Sequence, residues 1–312
     1  MVRLSRSAQE AGMNAEVLST QRFDIYRAVT DSIIASIEAG AGEFVMPWHG
    51  NGAVISKPQN AHTRMEYHGI NVIALWAHAY EKHYKSGYWG TYRQWQEVGA
   101  QVVKGEKGST IVFFKRFEEE PEGEGSEPAT RLFARASSVF NADQVAGWTP
   151  LEERAPPGNA ELLECVETFI RATKADVRHG GHLACYHTVQ DYIEMPHIGR
   201  FRDTPTSTAT EAFNATILHE LIHFTGAKQR LGRFDGPIKM ADLPAEELVA
   251  EIGAAFLCAD LGVTNEPRPD HAAYVAHWLQ LLKNDTRAIF TASRRANQAA
   301  MYLHELVSAS ER

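Results

Sequence analysis

The run ATILHELIHFTG at positions 215–226 constrains the fold of this 312-residue chain more than any other stretch. Its apolar residues surround a polar triplet, His219, Glu220 and His223. A helix turns once every ~3.6 residues, so two imidazoles four apart share one face, with Cβ atoms roughly 5–6 Å apart. That spacing lets both bind one metal ion. Thr225-Gly226 supplies a helix stop, and Thr208 or Thr210 upstream supplies an N-cap. So apolar a helix is buried, and a buried imidazole or carboxylate needs partners. A pair of hydrogen-bonded core histidines would satisfy that need as well as a metal would, so the HExxH pattern requires support from elsewhere.

A second segment supplies it. Residues 244–257, PAEELVAEIGAAFL, read as a helix with Asp242 or Leu243 near its cap, Pro244 in the first turn and acids early, where the helix dipole favours them. Glu247 and Glu251 share a face, and the small residues Gly253, Ala254 and Ala255 allow another helix to come close. Zinc peptidases with two histidines and a carboxylate take the third ligand from such a helix and leave the fourth position open. Glu246, Glu247 and Glu251 are the candidates. We assign Glu247 as ligand and Glu251 as the acceptor that orients a ligand histidine; the reverse assignment stays open. Glu246 needs no more than its favourable place in the first turn. The expected ion is Zn2+ or another divalent metal such as Mn2+. Glu220 lies about 100° round the helix from His219, which suits a general base acting on water and not a ligand.

The remaining histidines fit this chemistry less well. His304-Glu305-Leu306 lacks a second imidazole at 308 and reads as a solvated helix. His271 and His277, and the group His179, His182 and His187, have no regular ligand spacing.

Three scattered cysteines, Cys165, Cys185 and Cys258, argue against a disulfide framework or a thiolate zinc site and fit a reducing cytoplasm. No stretch resembles a membrane span, and the first residues, MVRLSRSAQEAGMN, lack the apolar core of a secretory signal. The net charge of −8 is unevenly spread: residues 1–116 carry 13 Lys and Arg against 10 Asp and Glu, whereas 117–160 carry 3 against 9. The first third is mildly basic. The acids are not massed into the long polyanionic surface of a DNA mimic.

Residues 20–39 read as an amphipathic helix stopped by Gly40 and Gly42, and Gly69-Ile70-Asn71 as a helix start with Asn71 near its cap. A short helix capped by Thr91 ends at Gly99, and a strand follows from Ser109 to Lys115. The acidic stretch 118–129 is a hairpin tip between that strand and a return strand at 130–141. Aromatic and basic residues intermix here, as they do where bases stack on rings while cations follow phosphates. Trp76, Tyr80 and Tyr84, at helical spacing, fit a core stripe. Tyr88, Trp89 and Tyr92, beside Lys85 and Arg93 and with Lys104 and Lys107 nearby, are the surface candidates for DNA contact.

Three segments in this region, YHGIN at 67–71, TYRQWQEVGAQVVKGEKGSTIVFF at 91–114 and VFNADQV at 139–145, resemble the N-terminal single-stranded-DNA-binding domain of the ArdC antirestriction family, a domain shared with TraC-type primases. ATILHELIHFTGAKQRL and EELVAEIGAAFL resemble the zincin-like metallopeptidase domain that follows it there. No primase-like segment follows within these residues, which favours the ArdC arrangement. The resemblance implies a plasmid- or phage-borne cytoplasmic protein, associated with conjugation, that binds single-stranded DNA and shields incoming DNA from restriction. A host restriction-system protein is a further conceivable partner or substrate. The expected fold is α+β: a flexible N-terminus (1–19), an α+β DNA-binding domain (20–148), a linker (149–159), and a mainly helical zincin-like domain with a small sheet (160–312). Asp191 to Met195 is the expected edge strand for an extended substrate. The chemistry would be metal-assisted peptide hydrolysis through His219, His223, Glu247 and Glu220, or the metal would only staple the domain.

Overall fold

The computed structural model describes residues 24–40, 48–49, 56–118, 130–149, 158–264 and 271–310. Val29, Ile33, Ile34 and Ile37 form the buried stripe of α1 (Ile25–Gly40), whose start is marked by Asp24 accepting from the Arg27 N–H at 3.1 Å. Of the helix expected over 20–39, residues 20–23 lie outside the described residues.

After β1 (Gln59–Asn60), α2 (Ile70–Lys82) packs on α1 and buries Val72, Ile73 and Leu75. Its N-cap is Gly69, at a φ of 56° that favours glycine, and not Asn71. Asn71 does something else: its Nδ2 donates to Val112 O at 2.9 Å and its Oδ1 accepts from Val112 N at 2.8 Å, clamping a strand to the helix.

β2 (Tyr88–Gly90) leads to α3 (Tyr92–Glu97), which Thr91 and Gln94 close with a reciprocal capping box. β3 (Gln101–Val102), β4 (Ser109–Glu118), β5 (Thr130–Asn141) and β6 (Val145–Ala146) follow. β4 and β5 form the long hairpin, paired from Ser109↔Val139 to Glu118↔Thr130. The sheet order is β1-β2-β5-β4, with β3 and β6 forming a separate pair. The tip at 119–129, most of the linker and the N-terminal 1–19 lie outside the described residues.

The second half begins with α4 (Asn159–Thr173) and a three-stranded sheet of β7 (Val177–His179), β8 (Cys185–His187) and β9 (Tyr192–Met195). Its order is β7-β9-β8, so β9 is central. The expectation that 191–195 forms an edge is therefore corrected: β9 pairs with β7 on one side and β8 on the other, which leaves β8 as an edge. Helices α5 (Ala209–Thr225), α6 (Leu243–Leu261), α7 (His271–Asn284) and α8 (Ala288–Ser310) complete the chain. None of the helices among the described residues is long and apolar enough to cross a membrane.

Both halves of the chain share one hydrophobic core. Trp76 of α2 meets Phe256 of α6 with ring centroids 5.9 Å apart, and Tyr26 of α1 meets Phe290 of α8 at 4.7 Å. Polar links follow the same seam: Thr30 Oγ1 donates to Thr286 O at 2.7 Å, and Lys57 Nζ lies 2.6 Å from Asp260 Oδ1. A smaller cluster around the buried Trp95, with Ala61, Ala100 and Val102, sits beyond the sheet.

Candidate metal centre

α5 and α6 cross closely enough that a Cβ at Gly253 would lie 2.8 Å from Ile222. This approach sets the distance between the two helices that carry the site. α5 starts at a capping box between Thr208 and Glu211 and stops at Gly226. Gly226 has a right-handed φ of −78°, so its role is space, since a Cβ there would meet the Phe234 ring at 2.3 Å.

On α5 the rings of His219 and His223 lie 4.9 Å apart, and both residues are buried. Their Nε2 atoms converge on one carboxylate of α6: His219 Nε2 is 3.4 Å from Glu247 Oε2, and His223 Nε2 is 3.5 Å from Glu247 Oε1. One donor atom from each of the three residues lies within 4.8 Å of the others. A tetrahedral zinc with bonds of about 2.0–2.2 Å would hold its donors about 3.3–3.6 Å apart. The donor set and its spacing fit such an ion.

The other ring nitrogens face different acids. His223 Nδ1 is 3.2 Å from Glu246 Oε1, and His219 Nδ1 is 3.7 Å from Glu251 Oε2. Glu246 therefore does more than complement the helix dipole: it is 6% exposed, and Arg233 reaches both its oxygens, at 2.7 and 2.9 Å. Arg233 also donates to Ile222 O and Thr225 Oγ1, which ties Glu246 to the end of α5. Glu251 Oε1 accepts from Trp48 Nε1 at 3.2 Å and lies 2.9 Å from His49 Nε2. Nothing in the spacing of Trp48, His49 or Arg233 marks them; their partners lie far off in sequence or across a loop.

These carboxylates create a demand for positive charge. Burial disfavours an ionised Glu247, but its hydrogen bonds with His219 and His223 outweigh that and hold its carboxyl well below the usual range. Burial likewise opposes charge on His223, yet Glu246 and Glu247 overcome it and carry its pKa up to about 10. Without metal, a proton on His223 supplies part of the charge that an ion would bring.

Glu220 is 6% exposed, and its Oε2 accepts from the Tyr186 N–H at 2.9 Å. Tyr186 is on β8, so the edge strand lies directly against the carboxylate that stands between His219 and His223 in sequence. Other histidines singled out in the sequence have partners of their own. His304 Nε2 bonds Asp260 at 2.9 Å, His187 lies 3.1 Å from Glu194, and His182 meets Arg200 at 3.1 Å. His179 stacks on Phe213, and His277 is exposed.

Among the residues expected to touch DNA, Trp89 is corrected by its burial. It is 1% exposed within the sheet, with its ring edge-on to Tyr84 at 6.0 Å, so it offers no free face. Tyr88 is half-buried against Trp148 at 5.1 Å, whereas Tyr92 is 46% exposed. Lys85, Lys104, Lys107 and Arg93 are exposed, but Arg93 pairs with Glu97 at 2.9 Å. The turn at 142–144 draws the Lys85 and Lys107 segments together: Asp143 accepts from Lys85 N, and Gln144 donates to Lys107 O and Glu106.

Comparison with known proteins agrees with this arrangement. Residues 23–140 match the N-terminal domain of anti-restriction factor ArdC, and residues 164–295 match a zincin-like metallopeptidase family. An uncharacterised protein, y4eC of Sinorhizobium fredii, is 44% identical across 93% of this chain and 94% of its own. DNA primase TraC of Escherichia coli is 32% identical across 88% of this chain, which spans only 26% of that primase. The crystal structure of antirestriction ArdC from plasmid R388 superposes at 40% identity with a TM-score of 0.75 in its metal-free form, covering 92% of this chain and 99% of that one. Its Mn(II)-bound form superposes at 0.72. The convergent histidines, the two matched domains and the shared fold place this chain in the ArdC antirestriction family.

Proposed function

We propose that this protein binds single-stranded DNA, protects incoming DNA from host restriction, and carries at His219, His223 and Glu247 a divalent ion, zinc or manganese, beside the general base Glu220. One observation carries the metal site: both Nε2 atoms point to the two oxygens of Glu247 while both Nδ1 atoms face other carboxylates. The divalent ion agrees with the Mn(II)-bound form of the R388 relative. When bound, such an ion polarises a carbonyl and acidifies water. The residues of the chain do the rest. Glu220, held by the Tyr186 amide, is placed to take a proton and return it to a leaving amine. β8, the edge strand beside it, is where an extended polypeptide would add by main-chain hydrogen bonds. Glu246 and Glu251 fix the imidazole rings from behind.

The Glu220→Ala variant tests this. It is expected to keep its metal and lose peptide hydrolysis; an unchanged cleavage rate would refute the catalytic assignment. A metal content unaffected by His219→Ala would refute the site itself.

A second function for the same ion has its own support. Trp48 and His49, from the half of the chain that carries the ArdC N-terminal match, both meet Glu251, so a metal there would brace the junction. If Glu220→Ala preserves restriction protection while His219→Ala abolishes it, the ion acts as a structural staple in this function.

A further inference from the structure

The outer face of α8 carries a row of arginines. Arg287, just before the helix, and Arg294 and Arg295 within it are exposed and make no ion pair among the described residues. In a chain of net charge −8, three such guanidinium groups between residues 287 and 295 are a local reversal of sign.

Two cavities open along this face. The first, of about 430 Å³, lies between α8 and the N-terminal sheet and is lined by Tyr26, Phe114 and Phe290 together with Arg287 and Arg294. The second, of about 390 Å³, continues past Arg295 to Leu231, Met301 and Tyr302. Arg294 and Gln298 line both, so the two adjoin along the groove on this side of α8. Phe290, Arg294, Gln298 and Met301 follow one another at three- and four-residue steps, which aligns them on a single face over about 16 Å of helix.

The groove offers flat apolar faces next to its cations. Phe114 remains 43% exposed although Tyr26 and Phe290 stand 6.5 and 6.4 Å away. The Arg287 guanidinium lies over the Tyr26 ring at 4.8 Å, and both residues line the first cavity. Met301, 53% exposed, and Tyr302 supply a second apolar end. Among the described residues, the single acid lining either cavity is Glu305, at the far end of the second. The lysines around the 142–144 turn, by contrast, share their patch with Asp143 and Glu106.

We propose that this groove is a track for single-stranded DNA, with bases on Phe114 and Tyr302 and phosphates on Arg287, Arg294 and Arg295. The proposal rests on the single-strand-binding function above and places that binding on both halves of the chain, beyond the segment matched to the ArdC N-terminal domain. Alternating rings and guanidinium groups suit an unpaired strand, because every base has a face to stack and every nucleotide a charge to neutralise. A duplex keeps its bases stacked inside and cannot use the rings.

The test is binding of a labelled oligodeoxythymidylate to the full-length protein across a salt series, read by fluorescence anisotropy. Arg294→Gln with Arg295→Gln is expected to weaken binding and flatten the slope of log K against log salt by about 0.7 for each phosphate that is no longer neutralised. Phe114→Ala is expected to weaken binding about tenfold with the slope unchanged. These side chains are exposed, and an unchanged melting temperature confirms that the fold is intact. If these variants bind as the unaltered protein does while Lys104→Gln with Lys107→Gln weakens binding, the groove is the wrong site. Equal competition by duplex also overturns it. If the unaltered protein binds no single strand at all, the failure belongs to the underlying function and not to the groove.

Discussion

At Gly253 the two helices of the candidate metal centre approach closely, and Gly253→Ala puts a number on that closeness. An added Cβ would sit 2.8 Å from Cδ1 and Cγ1 of Ile222 and 3.0 Å from its Cγ2. Comfortable carbon separations are about 3.5–4.0 Å, so α5 and α6 would have to part by roughly 0.5–1 Å. Ile222 cannot turn aside: it is fully buried, and its β-branch confines χ1 in a helix. Two effects oppose one another. Alanine favours a helix over glycine by about 1 kcal/mol, while overpacking a core costs about 1–3 kcal/mol. Because three side-chain atoms of Ile222 are struck at once, the cost wins, and the net destabilisation is about 1 kcal/mol.

The same separation stretches the 3.4 and 3.5 Å spacings between Glu247 and the histidines, so metal affinity should fall as well. Urea unfolding with and without added metal measures the first effect, and a metal titration the second. Ile222→Ala alone opens a cavity costing about 2–5 kcal/mol, but in the Gly253→Ala background the new methyl fills part of it. The double variant should therefore be more stable than the sum of the single effects predicts, by about 0.5–3 kcal/mol. A Gly253→Ala protein that gains the full ~1 kcal/mol of helix propensity and binds metal normally would refute the close-approach argument.

Four further outcomes follow from the structure. Glu246→Gln removes the charge that faces His223 and Arg233, and metal affinity should drop about 10–100-fold; an unchanged affinity would show that the His223 ring needs no such anchor. Because the metal-free His223 holds a proton up to about pH 10, metal uptake at neutral pH should release it, and calorimetry in buffers of different ionisation enthalpy would count it. The raised pKa also stabilises the metal-free fold: that contribution is complete below the unfolded value of about 6.5 and is lost as pH rises through about 10, so metal-free stability that increases over this window would contradict the cluster. Trp89→Ala should cost about 3–5 kcal/mol of stability as a buried core truncation, whereas the half-exposed Tyr92→Ala should stay within about 0.5 kcal/mol; equal melting temperatures for the two would overturn the assignment of Trp89 to the core.

What could be read in the sequence was local. The polar triplet of α5, a cap at Thr208 or Thr210 that the structure gives to Thr208, the hairpin of β4 and β5 and the small residues of α6 all express periodicity or capping within a few residues. What could not be read depends on pairing at a distance. Strand order decides whether 191–195 is an edge, and it is fixed by β7 pairing beside β9. Trp89 and Tyr92 look alike in sequence, but only Trp89 enters a strand with neighbours on both sides. Glu246 gains its function from Arg233, thirteen residues earlier across a loop. The motif residues shared with the family follow the same division. Asn71 reads as a residue near a helix cap, yet it clamps Val112; Asn141, inside the VFNADQV segment, closes the 142–144 turn and donates to Ser86 O.

The division into an ArdC N-terminal half and a zincin-like half describes the sequence better than it describes the packing. Glu251 lies one turn beyond Glu247 on α6, with one oxygen toward His219 and the other held by Trp48 and His49, some two hundred residues earlier in the chain. Fully buried charges are tolerated only where their hydrogen bonds are complete, so the ring behind the metal site requires the N-terminal segment to be in place. The core has the same topology, since Trp76 packs on Phe256 of the helix that carries Glu247 and Glu251. An ion at His219, His223 and Glu247 would therefore stabilise more than the helices that hold it. Its binding energy adds to the folding of any segment whose interactions the site requires, and here those interactions reach through α6 into the half that carries the ArdC N-terminal match.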